Sequence, residues 1–226
     1  MISQVVLLFA PMLLGAQLVL LIVLVKGDIC PGQRGRIHKV LPYIGLLWLA
    51  VAVYLPVALI LSLPIFYFYS RVKTSKTRDR GPLQALYIAC AFSILFVLVQ
   101  AFQQSTIAVG LVMLVSAVLL GASFAHLLLT MAKTRLQAFH RILPFCGVVA
   151  SIVIVILTLI HAYGPLVENS EHLLNQAIVG LVLLLIGVFV WCAHIVVTKS
   201  PSKVQLSVSL ALLVASTSYS WGMFIV

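Results

Sequence analysis

The chain has 226 residues, 63% of them hydrophobic and only 8% charged, with a mean hydropathy of +1.23 and a formal net charge of +10. A soluble core of this length has no use for so much apolar surface, which excludes an ordinary globular domain. The basic excess lies in short gaps without interleaved aromatic residues, so orientation in a bilayer and anionic headgroups account for it and no nucleic-acid partner is expected.

Apolar runs long enough to cross about 30 Å of hydrocarbon at about 1.5 Å per residue follow one another along the chain. Ile2 to Val25 is the first, too long for a signal-peptide core and without a basic region before it, so it reads as a mature helix. Next come Leu41 to Tyr69, Leu83 to Gln103 and Ile107 to Met131, then Leu143 to Tyr163, Leu173 to Val197 and Val204 to Val226. These seven hydrophobic segments predict an all-α, polytopic transmembrane helix bundle forming a single integral membrane domain, 1–226. No gap is long enough to fold by itself, so extensive water-exposed catalysis would have to come from a partner.

All fourteen Lys and Arg fall in four gaps. Lys26, Arg34, Arg36 and Lys39 share the first; Arg71, Lys73, Lys76, Arg78 and Arg80 the second; Lys133, Arg135 and Arg141 the third; Lys199 and Lys203 the last. Seven single crossings would put the first gap opposite the others. All four share one side if the second run crosses an even number of times or enters and returns, and the opposite side then receives Gln103 to Thr106 and the acidic gap with Glu168 and Glu171. Pro56 and Pro64 in that run suit a folded-back segment, because each removes a backbone donor. Its length is short for two full spans, and a single tilted helix stays open.

An internal repeat favours the folded-back reading. Leu13-Leu14-Gly15-Ala16, then His38-Lys39-Val40-Leu41-Pro42, recurs as Leu119-Leu120-Gly121-Ala122, then His140-Arg141-Ile142-Leu143-Pro144, about 102 to 106 residues later. Pro in the first turn of a helix is well tolerated, since its missing N–H would have no partner there. With both basic gaps on one side, the chain reads as two parallel units, about 1–104 and 105–226, the first about one helix short.

Several stretches carry a family resemblance. Val23-Leu24-Val25-Lys26-Gly27-Asp28 resembles the first helix and loop of the dimethyl sulfoxide reductase membrane-anchor subunits. Leu119-Leu120-Gly121 leading to Arg141-Ile142-Leu143-Pro144 is similar to that family's fifth and sixth helices, and Ser207 to Leu213 to its last. The resemblance implies a contracted anchor in the bacterial inner membrane with both ends outside. Such an anchor holds an iron–sulfur electron-transfer subunit and a molybdopterin catalytic subunit, and passes electrons from menaquinol without haem. The family's His near the outer end of the second helix and acidic residue in the third have no counterpart in Leu59 to Phe66, so no quinol residue carries over.

Local chemistry supplies other candidates. Quinol oxidation needs partners for two hydroxyls and a proton acceptor with a path to water. On the expected outer side stand Gln100, Gln103, Gln104 and Ser105, then His161, Glu168, Glu171 and His172. His161 is the expected proton acceptor, because imidazole titrates near neutral pH, and Gln100 the expected hydroxyl partner. Antiparallel packing would pair His161 with His172 and His140 with His194. His140 and His161 lie about 31 Å apart along a helix, at opposite interfaces, so bound haem is not expected. His126, within its helix, reads as a packed interhelical residue.

Cys30, Cys90, Cys146 and Cys192 form no Cys-x-x-Cys pair and three lie within apolar runs, so neither an iron–sulfur cluster in this chain nor a disulfide framework is expected; no metal site and no covalently bound cofactor are expected either. The small residues Gly110, Gly121, Gly180 and Gly187 mark faces for close helix approach. A small transporter or channel, and a purely structural anchor, are the alternatives to the electron-transfer reading.

Overall fold

The computed structural model describes residues 2–72, 81–134, 137–167, 171–197 and 200–222, with side chains over 8–72, 81–134, 138–161, 173–197 and 200–222. Lys73, Lys76, Arg78, Arg80, Arg135, Glu168 and Lys199 therefore lie outside the described residues. Nine α-helices form among those described: α1 (Ile2–Lys26), α2 (Pro31–His38), α3 (Leu41–Ala52), α4 (Leu59–Arg71), α5 (Leu83–Phe102), α6 (Ile107–Met131), α7 (Gln137–Val167), α8 (Glu171–Val196) and α9 (Lys203–Trp221). Apolar side chains leave the backbone nowhere to bond but within its own helix, which is why the apolar runs become helices. Their starts are marked locally. Thr106 caps α6 by accepting from the Val109 amide, Ser202 caps α9 by accepting from Gln205, and Pro stands in the first turns of α2 and α3.

Among the described residues, five helices are long and apolar enough to cross a membrane: Leu8–Lys26 of α1, all of α5 and α6, Ala138–His161 of α7 and Leu173–Val196 of α8. The protein is a multi-pass integral membrane protein. The last run, α9, carries Ser207, Ser209, Ser216, Thr217 and Ser220, which lower its hydropathy.

The second apolar run folds back on itself. α3 has 12 residues and α4 has 13, joined by a single 3₁₀ turn at Pro56–Ala58. Each arm is about 18–20 Å long, little more than half the hydrocarbon thickness. The arms are antiparallel: Gly45 near the start of α3 lies against the Phe66 ring near the end of α4, and His38 just before α3 meets Phe68 edge-on at 5.1 Å. Only Pro56 breaks the chain, whereas Pro64 sits inside α4.

A hairpin tip at membrane depth must satisfy its own amides. The Val53 amide bonds to Leu49, those of Tyr54 and Leu55 to Val51, and that of Ala58 to Leu55, while Pro56 has none to satisfy. The tip's surface is apolar, with Val53 79% and Val57 64% exposed. The hairpin therefore begins and ends at one end of the bundle, which sets Arg71 at the same end as His38 and Lys39.

At the centre, α1 and α6 run side by side in the same direction. Leu8 and Val112 line one cavity, Gly15 meets Gly121 and Ala117, and beyond the helix ends Arg36 Nη1 donates to the Lys133 carbonyl at 3.0 Å. A Cβ on either Gly15 or Gly121 would overlap the other helix's backbone, so glycine is what lets the two approach. α8 and α9 use the same device with hydroxyls added. Ser209 and Ser216 of α9 donate to the carbonyls of Gly187 and Gly180, at 2.9 Å and 2.7 Å.

Candidate functional site

The end opposite the basic gaps holds a cleft at the turn between α5 and α6. Its volume is ≈ 220 Å³, and its lining includes Phe102, Gln104, Ser105, Thr106, Ile107 and Leu111. Gln104 Nε2 donates to the Gln100 carbonyl at 2.8 Å, which holds the amide in place and leaves its Oε1 as an acceptor. Phe102 and Ile107 flank the turn, each 85% exposed. Apolar walls with a hydroxyl and amide rim suit a flat ring whose edge carries polar groups.

The sequence candidates distribute unevenly over this end. Gln104 lines the cleft, Gln100 contributes its carbonyl from the α5 turn before it, and Gln103 is exposed at the α5 terminus. His161 is partly buried on α7 and engaged in an interaction, but it is not among the cleft's lining residues. His172 falls in the first turn of α8, where its side chain, like that of Glu171, lies outside the described residues. The pairing of His161 with His172 lies there too.

The basic end holds the larger polar network. Trp191 Nε1 donates to His126 Nδ1 at 3.0 Å, and His126 Nε2 lies 2.9 Å from His140 Nδ1. Indole N–H only donates, so neutral His126 carries its proton on Nε2 and donates it to His140. The remaining N–H of His140 is then left for the Thr134 backbone. A donor-only tryptophan closes the chain at its buried end, so the network cannot relay protons and acts as a brace between α6, α7 and α8. His194 completes it, with Nδ1 2.7 Å from the Trp191 carbonyl and Nε2 3.2 Å from the His140 carbonyl. His126 is fully buried and Trp191 lies against Gly147, where any larger residue would strike the ring.

A second joint binds α1, α3 and α5. Gln17 Oε1 accepts from Trp48 Nε1 at 3.2 Å and Ser93 Oγ at 3.3 Å, while its Nε2 points to Cys90 Sγ at 3.5 Å. Gln17 was open to detection as a lone amide deep in an apolar run, a residue type that bundles place toward their interior.

His38, in the sequence motif shared with His140, has no such partner. It is fully buried with both ring nitrogens unbonded. Burial and the nearby Arg34 guanidinium push its pKa down to about 4. Among the described residues no group of three or more His, Cys, Asp or Glu is disposed to hold a metal ion.

Comparison with known proteins places this bundle among membrane proteins. A relative described as an uncharacterized protein of Haemophilus influenzae is 30% identical over 151 residues, covering 59% of this chain and 54% of its own length. The chain thus spans about half the length of the curated relative it matches. No solved structure matches. Residues 2–224 match a family described as an integral membrane domain, and with nearly the whole chain covered, the protein belongs to that family.

Proposed function

We propose that this protein is the non-catalytic membrane anchor of a quinol-linked respiratory oxidoreductase of the dimethyl sulfoxide reductase type, in the bacterial inner membrane. It holds an iron–sulfur subunit and, through it, a molybdopterin subunit, and menaquinol docks at the α5–α6 turn. The observation that carries this reading is the ≈ 220 Å³ cleft with its Gln104, Ser105 and Thr106 rim, opposite the basic end. A quinol ring would rest between Phe102 and Leu111, one hydroxyl donating to Gln104 Oε1, and the protons would leave to water at the exposed rim.

The architecture supports the same reading. α1 and α6 run parallel, and the short α3–α4 hairpin takes the place in the first unit that α7 and α8 take in the second. A contracted two-unit anchor would have its elements in this order. The transporter reading has less behind it: the hydroxyl-lined interior cavity, with Ser116, Thr158, Ser216, Thr217 and Ser220, measures ≈ 20 Å³. That is room for about one water.

Purification of the full chain in mild detergent, with identification of co-purifying subunits and assay of iron, molybdenum and quinone, is the test. Recovery with an iron–sulfur partner and bound quinone is expected. Recovery with the partner but no quinone would leave a purely structural anchor, and recovery alone would remove the anchor reading altogether.

A further inference from the structure

The basic end carries an open groove between the start of α7 and the end of α8. It measures ≈ 470 Å³, within the range of roughly 300–1,000 Å³ typical of ligand sites, and is lined by Arg141, Pro144, Phe145, Val148, Cys192 and Ile195. Its walls are apolar, with Arg141 the sole charged residue among them. Phe145 is 69% exposed, so the groove opens outward to the lipid. We propose that this groove is a binding site for one phospholipid with an anionic headgroup, its phosphate on Arg141 and an acyl chain along Phe145 and Val148.

Charge decides the occupant. Lys26, Arg34, Arg36, Lys39, Arg71, Lys133, Arg141 and Lys203 gather at this end, while Asp28 is the single acidic side chain among the described residues. With fourteen Lys and Arg against four Asp and Glu in the whole sequence, the chain's own acids are too few to neutralise this end, and an anionic ligand can. Arg36 is committed to the Lys133 carbonyl, where Lys133 adopts a left-handed backbone with φ 50° at the end of α6. Arg141 is exposed at the groove and has the planar fork that matches phosphate oxygens. From Arg141 to Val148 the helix advances about 10 Å, so the guanidinium sits at headgroup level with an apolar trough beneath it. Phosphate above and hydrocarbon below is the chemistry of a phospholipid rather than of a soluble anion.

Native mass spectrometry of the full chain in detergent, titrated separately with phosphatidylglycerol and phosphatidylcholine, tests this. Phosphatidylglycerol is expected to be retained preferentially, and Arg141→Ala to weaken its retention about fivefold, the effect of one basic residue at an anionic surface. Arg141→Lys should keep most of that retention, and Lys39→Ala, exposed at the same end but outside the groove, should leave it unchanged. Val148→Trp fills the trough with the charge intact and should weaken retention as well. Equal retention of the two lipids, equal loss in Arg141→Ala and Lys39→Ala, or full retention in Val148→Trp would each overturn the site.

Discussion

His38 and His140 open the same short motif, yet they have opposite surroundings. His140 accepts from His126, which accepts from Trp191, so three helices are joined through one set of hydrogen bonds. His38 packs on the edge of Phe68 with neither nitrogen bonded. The difference traces to residues outside the motif. Leu20 stands as far after Gly15 as His126 stands after Gly121, so where the second half offers an imidazole the first offers a leucine. The first half places its polar joint elsewhere, at Gln17, where an amide gathers Trp48, Ser93 and Cys90. In both joints a buried polar side chain meets an indole N–H, by different residues at different depths.

Three single substitutions, one of them followed by a second-site change, would break or sharpen that contrast. Gly121→Leu should act most strongly, because its side chain would fall on the α1 backbone at Gly15 and force the halves apart. A loss above about 4 kcal/mol is expected, seen as failure to recover a monodisperse protein in detergent. His126→Leu copies the first half's arrangement into the second and strands both the Trp191 N–H and His140. It should destabilise by roughly 2 kcal/mol in thermal unfolding, and adding Trp191→Phe should recover part of the loss by removing an unpaired donor. Wild-type stability in His126→Leu would mean that the network is ornamental.

The smallest effect is expected at His38. With a folded pKa of about 4 against an ordinary 6.5, the unfolded chain binds a proton that the folded chain refuses across that window. Stability therefore falls as pH drops from 6.5 toward 4. His38→Phe should flatten this part of the pH profile and change stability at pH 7 by about 1 kcal/mol or less, since it removes two buried unbonded nitrogens while keeping an aromatic ring on Phe68. An unchanged slope in the variant would show that His38 does not titrate with folding.

The membrane class and the gathering of basic residues were legible in composition and spacing, because moving a side chain from water to hydrocarbon depends on that side chain alone. His126 read correctly as an interhelical residue for the same reason: a lone imidazole in an apolar run has to find a partner. Its partner Trp191, the Gln17 joint and the solitary state of His38 were not legible, since each depends on which residues from distant runs come to face it. The two prolines of the second run looked equivalent, yet Pro56 alone marks the turn. The cleft was half visible: neighbouring Gln104 and Ser105 announced a polar edge, but exclusion of His161 from its lining follows from α7 packing on α6 and α8 rather than on α5. Sequence by itself determined that this chain is a helical membrane bundle with its cations at the interfaces, through local transfer energies. Tertiary packing alone decided at which proline the second run turns back and which buried polar groups are paired, because hydrogen bonds and helix contacts belong to pairs of segments that the linear order keeps apart.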